Sequence, residues 1–112
     1  MKSPITTHVL DTSSGRPAPN VAARLERVTE TESVQVGASA TNADGRITDF
    51  FEGPLEAGMY RITFETADYF AGRGVPTFFP EVAILFEVTN PDQHHHVPLL
   101  LSPFGYSTYR GT

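Results

Sequence analysis

A small set of side chains carries the chemistry this chain could do. His94 and His96 stand two residues apart, and in an extended strand such a pair points to one face. A His-x-His pair of this kind can hold zinc when a third ligand joins it, and His8 is the candidate third; the competing reading is a pair of imidazoles hydrogen-bonded to their neighbours. Two histidines can also share acid and base work near neutral pH without a cofactor. Arg46 follows the turn sequence Asn42-Ala43-Asp44-Gly45. An arginine can orient a carbonyl-rich substrate and stabilise developing negative charge through paired hydrogen bonds. Taken singly, His8 and Arg46 read as ordinary surface residues. With a tail that ends in a hydroxyl residue and a carboxylate, the set together suits hydrolysis of an activated amide or imide by water. Gly-x-Ser-x-Gly and a Gly-rich phosphate loop are both absent, so nucleophilic serine chemistry and nucleotide binding have no support.

Composition narrows the class further. The 112 residues fit one domain, 1–112, with a core large enough to need no staples. There is no cysteine, which excludes disulfides, thiolate metal sites and cysteine nucleophiles. A net charge of -5 with scattered basic residues argues against nucleic acid as a partner. No apolar run approaches membrane-spanning length. Met1-Lys2-Ser3-Pro4 lacks the apolar stretch of a signal peptide, and Arg110-Gly111-Thr112 is not a peroxisomal address. The expectation is a soluble, cytoplasmic protein.

The elements that must position these residues are short strands separated by turn chemistry. Residues 5–10 alternate, with Thr6, His8 and Leu10 on one face and Ile5, Thr7 and Val9 on the other. Residues 21–28 place Val21, Ala23 and Leu25 together, and residues 34–41 predict Val34, Val36, Ala38 and Ala40 inward. Tyr60, Ile62 and Phe64 mark another half-buried strand, as do Val82, Ile84, Phe86 and Val88. Residues 66–74 lose the period of two and predict one short helix, with Thr66 as its N-cap. A strand over 94–101 and a last one around 106–109 complete seven or eight strands, the pattern of an antiparallel β-sandwich. In the strand 94–101, Val97, Leu99 and Leu101 suit the core. The opposite face carries His94, His96, Pro98 and Leu100, too apolar for a face in water. It predicts a cover, with a second copy of the chain as the natural one and His96 near a subunit interface.

Three stretches carry a resemblance to a known family. They are Thr7-His8-Val9-Leu10-Asp11-Thr12-Ser13-Ser14-Gly15-Arg16-Pro17-Ala18, the step Asp44-Gly45-Arg46, and the tail from His96-Val97-Pro98-Leu99-Leu100-Leu101-Ser102-Pro103 to Tyr106-Ser107-Thr108-Tyr109-Arg110-Gly111. The chain resembles, end to end, the 5-hydroxyisourate hydrolases, the transthyretin-related enzymes of purine breakdown. The resemblance implies a transthyretin-like sandwich of two four-stranded sheets with one short helix. It also implies a homotetramer, a dimer of dimers with active sites in the channel between them, and an activity that opens the 5-hydroxyisourate ring with water and no metal or organic cofactor.

Residue by residue, the resemblance implies catalytic roles for His8, Arg46 and His96, and substrate contacts from Arg46, Tyr109 and Thr112. The family's tail usually ends Tyr-Arg-Gly-Ser; here Thr112 keeps the hydroxyl and adds a methyl. The family often has an aromatic residue where this chain has His95, which alternates onto the opposite face and receives no catalytic role. Which histidine takes the proton stays open. Two rival readings remain beside the hydrolase: a non-catalytic carrier of the thyroid-hormone type on the same fold, and a metal-binding protein using His8, His94 and His96.

Overall fold

The computed structural model describes residues 3–112. Met1 and Lys2, which belong to the expected 1–112 domain and to the segment read as lacking a leader, lie outside the described residues. Two sheets stack face to face. One is built on β1 (Ile5–Asp11) and β8 (His95–Ser102), flanked by β9 (Gly105–Thr108) and by two short pieces, β2 (Arg16–Pro17) and β5 (Arg46–Ile47). The other runs β4 (Ser33–Ala40), β3 (Ala22–Val28), β6 (Gly58–Phe64), β7 (Val82–Val88) in spatial order. The expected sandwich of two sheets with one short helix is thus observed. The sheets are not wholly antiparallel, however: β1 and β8 run parallel, pairing Ile5 with His95 through to Asp11 with Leu101. Parallel neighbours need a long crossover, and here the whole second sheet supplies it.

The core lies where alternation placed it. Ile5, Val9, Leu25, Ile62, Phe64, Val82, Val88, Leu99 and Leu101 are buried between the sheets. Strand β4 departs from its pattern. Val36 packs against the core as expected, but Ala38 and Ala40 face outward, while Gly37 and Ser39 share the face of Leu25 and Ala23. A bulge causes this: Leu25 pairs with Gly37 but Glu26 with Gln35, so Val36 is an extra residue. One extra residue reverses every later side chain.

The helix α1 (Thr66–Ala71) follows β6. Thr66, expected as the N-cap, is instead the first helical residue; Glu65 occupies the cap position without a side-chain cap bond. The Thr66 hydroxyl donates to the Phe79 carbonyl at 2.9 Å, which ties the helix to the following loop rather than to its own first turn. A second tie crosses the sandwich. The Tyr69 hydroxyl donates to Asp11 Oδ2 at 2.8 Å, and Ser13 donates to Asp11 Oδ1 from both its hydroxyl and its backbone N–H.

Burial alone would push the Asp11 carboxyl up, but the hydrogen bonds from Ser13 and Tyr69 outweigh it and hold it below the usual carboxylate range. Burial and the Asp11 bond push the Tyr69 phenol up to about 12. The depressed carboxyl therefore stabilises the fold above pH ~4, and that contribution is lost as pH falls through its folded value. The raised phenol contributes below pH ~10, and its share is lost as pH rises towards its folded value. Tyr69→Phe leaves a buried carboxylate short of a donor and is expected to cost about 1–3 kcal/mol at pH 7. Urea unfolding at pH 7 and pH 3 checks this: the gap between wild type and variant should narrow at the lower pH.

Candidate active site

The positions of His8, Arg46 and His96 follow from register. Strand β1 turns Thr6, His8 and Leu10 away from the core. On one side it pairs with β5, which sets Arg46 directly opposite His8. On the other it pairs with β8, which sets His96 opposite Thr6 and Pro98 opposite His8. Partners opposite one another share a face, so one outer surface collects Arg46, His8, Thr6 and His96.

The turn before β5 fixes Arg46. The Asn42 side-chain oxygen accepts from the backbone N–H groups of Asp44 (2.9 Å) and Arg46 (3.0 Å), and the Arg46 carbonyl accepts from the Asn42 N–H at 2.9 Å. Gly45 has φ +75°, and its carbonyl accepts from Val9 N–H at 2.7 Å. A Cβ on Gly45 would stand 2.4 Å from the Val9 carbonyl oxygen. Only glycine lets this turn press against β1, and that contact carries Arg46 to His8.

Thr6, Thr7, Arg46, Thr48, His94, His96 and Thr112 line an open cleft of about 380 Å³ on this surface. Within it the buried Thr6 hydroxyl stands 2.8 Å from His94 Nε2 and 2.8 Å from His96 Nδ1. His8 adjoins the cleft through its pairing with Arg46 and is half-buried. The imidazoles of His94 and His96 converge on a hydroxyl, while His8 stands opposite Arg46 in the strand register and is not among the residues that line the cleft. Among the described residues no group of three or more His, Cys, Asp or Glu side chains could hold a metal ion, so the zinc set His8–His94–His96 is not assembled.

The C-terminal tail closes over His96. Gly111 bridges to it, its N–H donating to the His96 carbonyl at 2.8 Å. A Cβ on Gly111 would lie 2.5 Å from His96 Cδ2 and 3.3 Å from Pro98 Cγ. The bare backbone thus lies against the imidazole and the proline ring. The Thr108 hydroxyl donates to the Pro98 carbonyl at 2.7 Å, and Arg110 Nη2 donates to Gln93 Oε1 at 3.1 Å. Part of the cover expected for the outer face of β8 therefore comes from the same chain: Pro98 is buried within it and Leu100 half-buried. Thr112 reaches the cleft, but Tyr109 does not. Tyr109 is 58% exposed and lines a second cavity of about 230 Å³ with His95, His96 and Arg110.

His95 faces the core, as alternation required, and is 4% exposed. Burial and the nearby Arg110 charge push its imidazole below the usual value, so the neutral form prevails at pH 7. Four further cleft residues, Thr6, Thr7, Thr48 and His94, were not singled out as catalytic by the sequence. Thr6 did have a signal: it shares the face of His8 two residues away.

Comparison with known proteins extends this geometry. The model of the HIUase/Transthyretin family matches residues 5–111. A 5-hydroxyisourate hydrolase from Caulobacter vibrioides is 44% identical, over 98% of this chain and 99% of its own. The structure of the Klebsiella pneumoniae 5-hydroxyisourate hydrolase superposes with a TM-score of 0.87 at 41% identity, covering 96% of this chain and 97% of that one. Sea bream transthyretin in complex with thyroxine superposes with a TM-score of 0.89 at 30% identity, covering 98% and 96%.

Proposed function

The chain belongs to the HIUase/Transthyretin family, and on that premise we propose that it is a hydrolase that opens the ring of 5-hydroxyisourate with water to give 2-oxo-4-hydroxy-4-carboxy-5-ureidoimidazoline. The observation that carries the reading is the register of β1, which sets Arg46 across from His8 on one side and His96 across from Thr6 on the other. That register supports an acid–base pair and an anion-stabilising group on one surface, at the edge of a cleft that Arg46 and His96 both line.

In this mechanism His8 and His96 form the acid–base centre. One imidazole takes a proton from water as its oxygen adds to a ring carbonyl carbon. The carbonyl oxygen gains negative charge, and the Arg46 guanidinium stabilises it with charge-assisted hydrogen bonds. The carbon–nitrogen bond then breaks, the ring nitrogen takes a proton, and the new carboxylate leaves with its charge facing Arg46. No step calls for a metal or an organic cofactor. Thr112 contacts the substrate from the cleft wall. Tyr109, which lines the separate cavity beyond His96 and not the cleft, is a substrate contact only as the family resemblance implies. We assign the activity to a single domain over 1–112, acting as a cytoplasmic homotetramer, a dimer of dimers. Leu100 and the exposed Phe104 and Tyr106 supply apolar surface for its contacts.

The likeness to thyroxine-bound transthyretin supports a second reading, carriage of a small ligand without turnover. A fold does not choose between the two. Thyroxine titration and hydrolysis, measured on the same preparation, separate them. The hydrolase reading expects rapid, chelator-insensitive loss of 5-hydroxyisourate. Saturable thyroxine binding without turnover would establish the carrier.

A further inference from the structure

Resting on the hydrolase reading, we propose that the Thr6 hydroxyl is a positioning group that couples His96 to His94, so that His96 presents a basic Nε2 only while His94 is neutral. A hydroxyl has one hydrogen to give. Thr6 Oγ1 stands 2.8 Å from His94 Nε2 and 2.8 Å from His96 Nδ1, so the two contacts cannot both be donations from Thr6. When the hydroxyl donates to His94 Nε2, His96 Nδ1 must carry a hydrogen and donate to Oγ1. A neutral His96 then holds its lone pair on Nε2. When the hydroxyl donates to His96 Nδ1, His94 Nε2 must carry the hydrogen, and the neutral His96 is protonated at Nε2. An arrangement with both nitrogens donating would strand the proton of a hydroxyl whose residue is 4% exposed.

The consequence is a fixed tautomer with a defined site of proton exchange. With Nδ1 committed to Thr6, the proton His96 exchanges with water or substrate moves through Nε2. Taking a proton there gives an imidazolium whose Nδ1–H still donates to Thr6, so the Thr6–His94 bond need not rearrange during the step. A protonated His94 donates from Nε2, reverses the hydroxyl, and puts a hydrogen on the nitrogen that must act as base. His94 is exposed, and Arg46, His96, Arg110 and Thr112 line the two cavities it borders, with no Asp or Glu side chain among the described residues that line either. Arg110 Nη2 also donates to the His94 carbonyl at 3.4 Å. The acid limb of turnover should therefore follow the His94–His96 pair together rather than His96 alone.

The test uses the full-length protein labelled with nitrogen-15. Ring proton–nitrogen correlations at pH 8 are expected to show His96 protonated at Nδ1 in the wild type and in Thr6→Ser, and as a tautomer mixture in Thr6→Val. Turnover assays should show Thr6→Val lowering kcat by about 10-fold or more with KM within about threefold, and Thr6→Ser restoring most of the loss. His94→Gln, whose amide can accept from Thr6 without titrating, should move the acid limb of kcat to lower pH. The same His96 tautomer in Thr6→Val as in the wild type would overturn the coupling, as would an acid limb that His94→Gln leaves in place. If the wild type does not turn over 5-hydroxyisourate, the hydrolase reading fails, while the ring signals still judge the coupling.

Discussion

Replacing His8, Arg46 or His96 singly should lower turnover of 5-hydroxyisourate by about 10²-fold or more while leaving the fold in place. The size follows from what each group does. In the proposed mechanism an imidazole moves a proton and a guanidinium meets developing charge, and both are worth more in the transition state than in the bound substrate. The loss should therefore fall on kcat for the histidines. The proposed mechanism also has Arg46 anchor the ground state, so Arg46→Gln should raise KM as well. Arg46→Lys keeps the charge but loses the planar fork, and should recover only a small part of the activity. None of the three side chains belongs to the buried hydrophobic core, so thermal midpoints should stay close to the wild-type value. Steady-state kinetics beside thermal melts check both halves. Near-normal turnover in all three variants would remove these residues from the mechanism.

Gly111→Ala is the second change expected to have a large effect, although it removes no chemical group. The added methyl would lie 2.5 Å from His96 Cδ2 and 3.2 Å from Cγ. Either the imidazole turns away or the tail lifts, and lifting it breaks the 2.8 Å bond from Gly111 N–H to the His96 carbonyl. Both outcomes displace a ring whose placement matters at the scale of an ångström. Turnover should fall by about 10-fold or more, with a stability loss of about 1 kcal/mol from the single surface bond. A crystal structure of the variant, or the shift of the His96 ring resonances, reads the displacement directly. Unchanged kcat with an unmoved ring would show that the tail does not set the position of His96.

Much of this was legible in the sequence, and the rest was hidden for identifiable reasons. Strands β1 and β8 were readable because one face of each is buried, which leaves a clean period of two. The outward set Thr6 and His8 and the inward set Val97, Leu99 and Leu101 both follow from it. Arg46 was readable because Asn42-Ala43-Asp44-Gly45 is turn chemistry and places the next residue at the start of an element. Strands β2 and β5 were not, since two residues have no periodicity. In β4 Ala38 and Ala40 were misassigned as inward because a bulge at Val36 reverses the alternation, and nothing in Ser33–Ala40 announces a bulge. Thr6 escaped notice as part of the site because its partner His96 lies 90 residues away. Only the parallel register of β1 and β8 brings them together. The place of Tyr109 was equally unreadable: the tail crosses His96 at Gly111, and that crossing leaves Tyr109 and Thr112 in different cavities.

The central claim is that histidines from the first and penultimate strands, with an arginine beside them, hydrolyse 5-hydroxyisourate. Its most direct test generates 5-hydroxyisourate from urate with urate oxidase and follows the spectral decay with no added protein, with the wild type, and with His96→Gln. The account predicts fast decay with the wild type and a rate near background with the variant. Decay at the background rate with the wild type, or equal acceleration by both proteins, would contradict it.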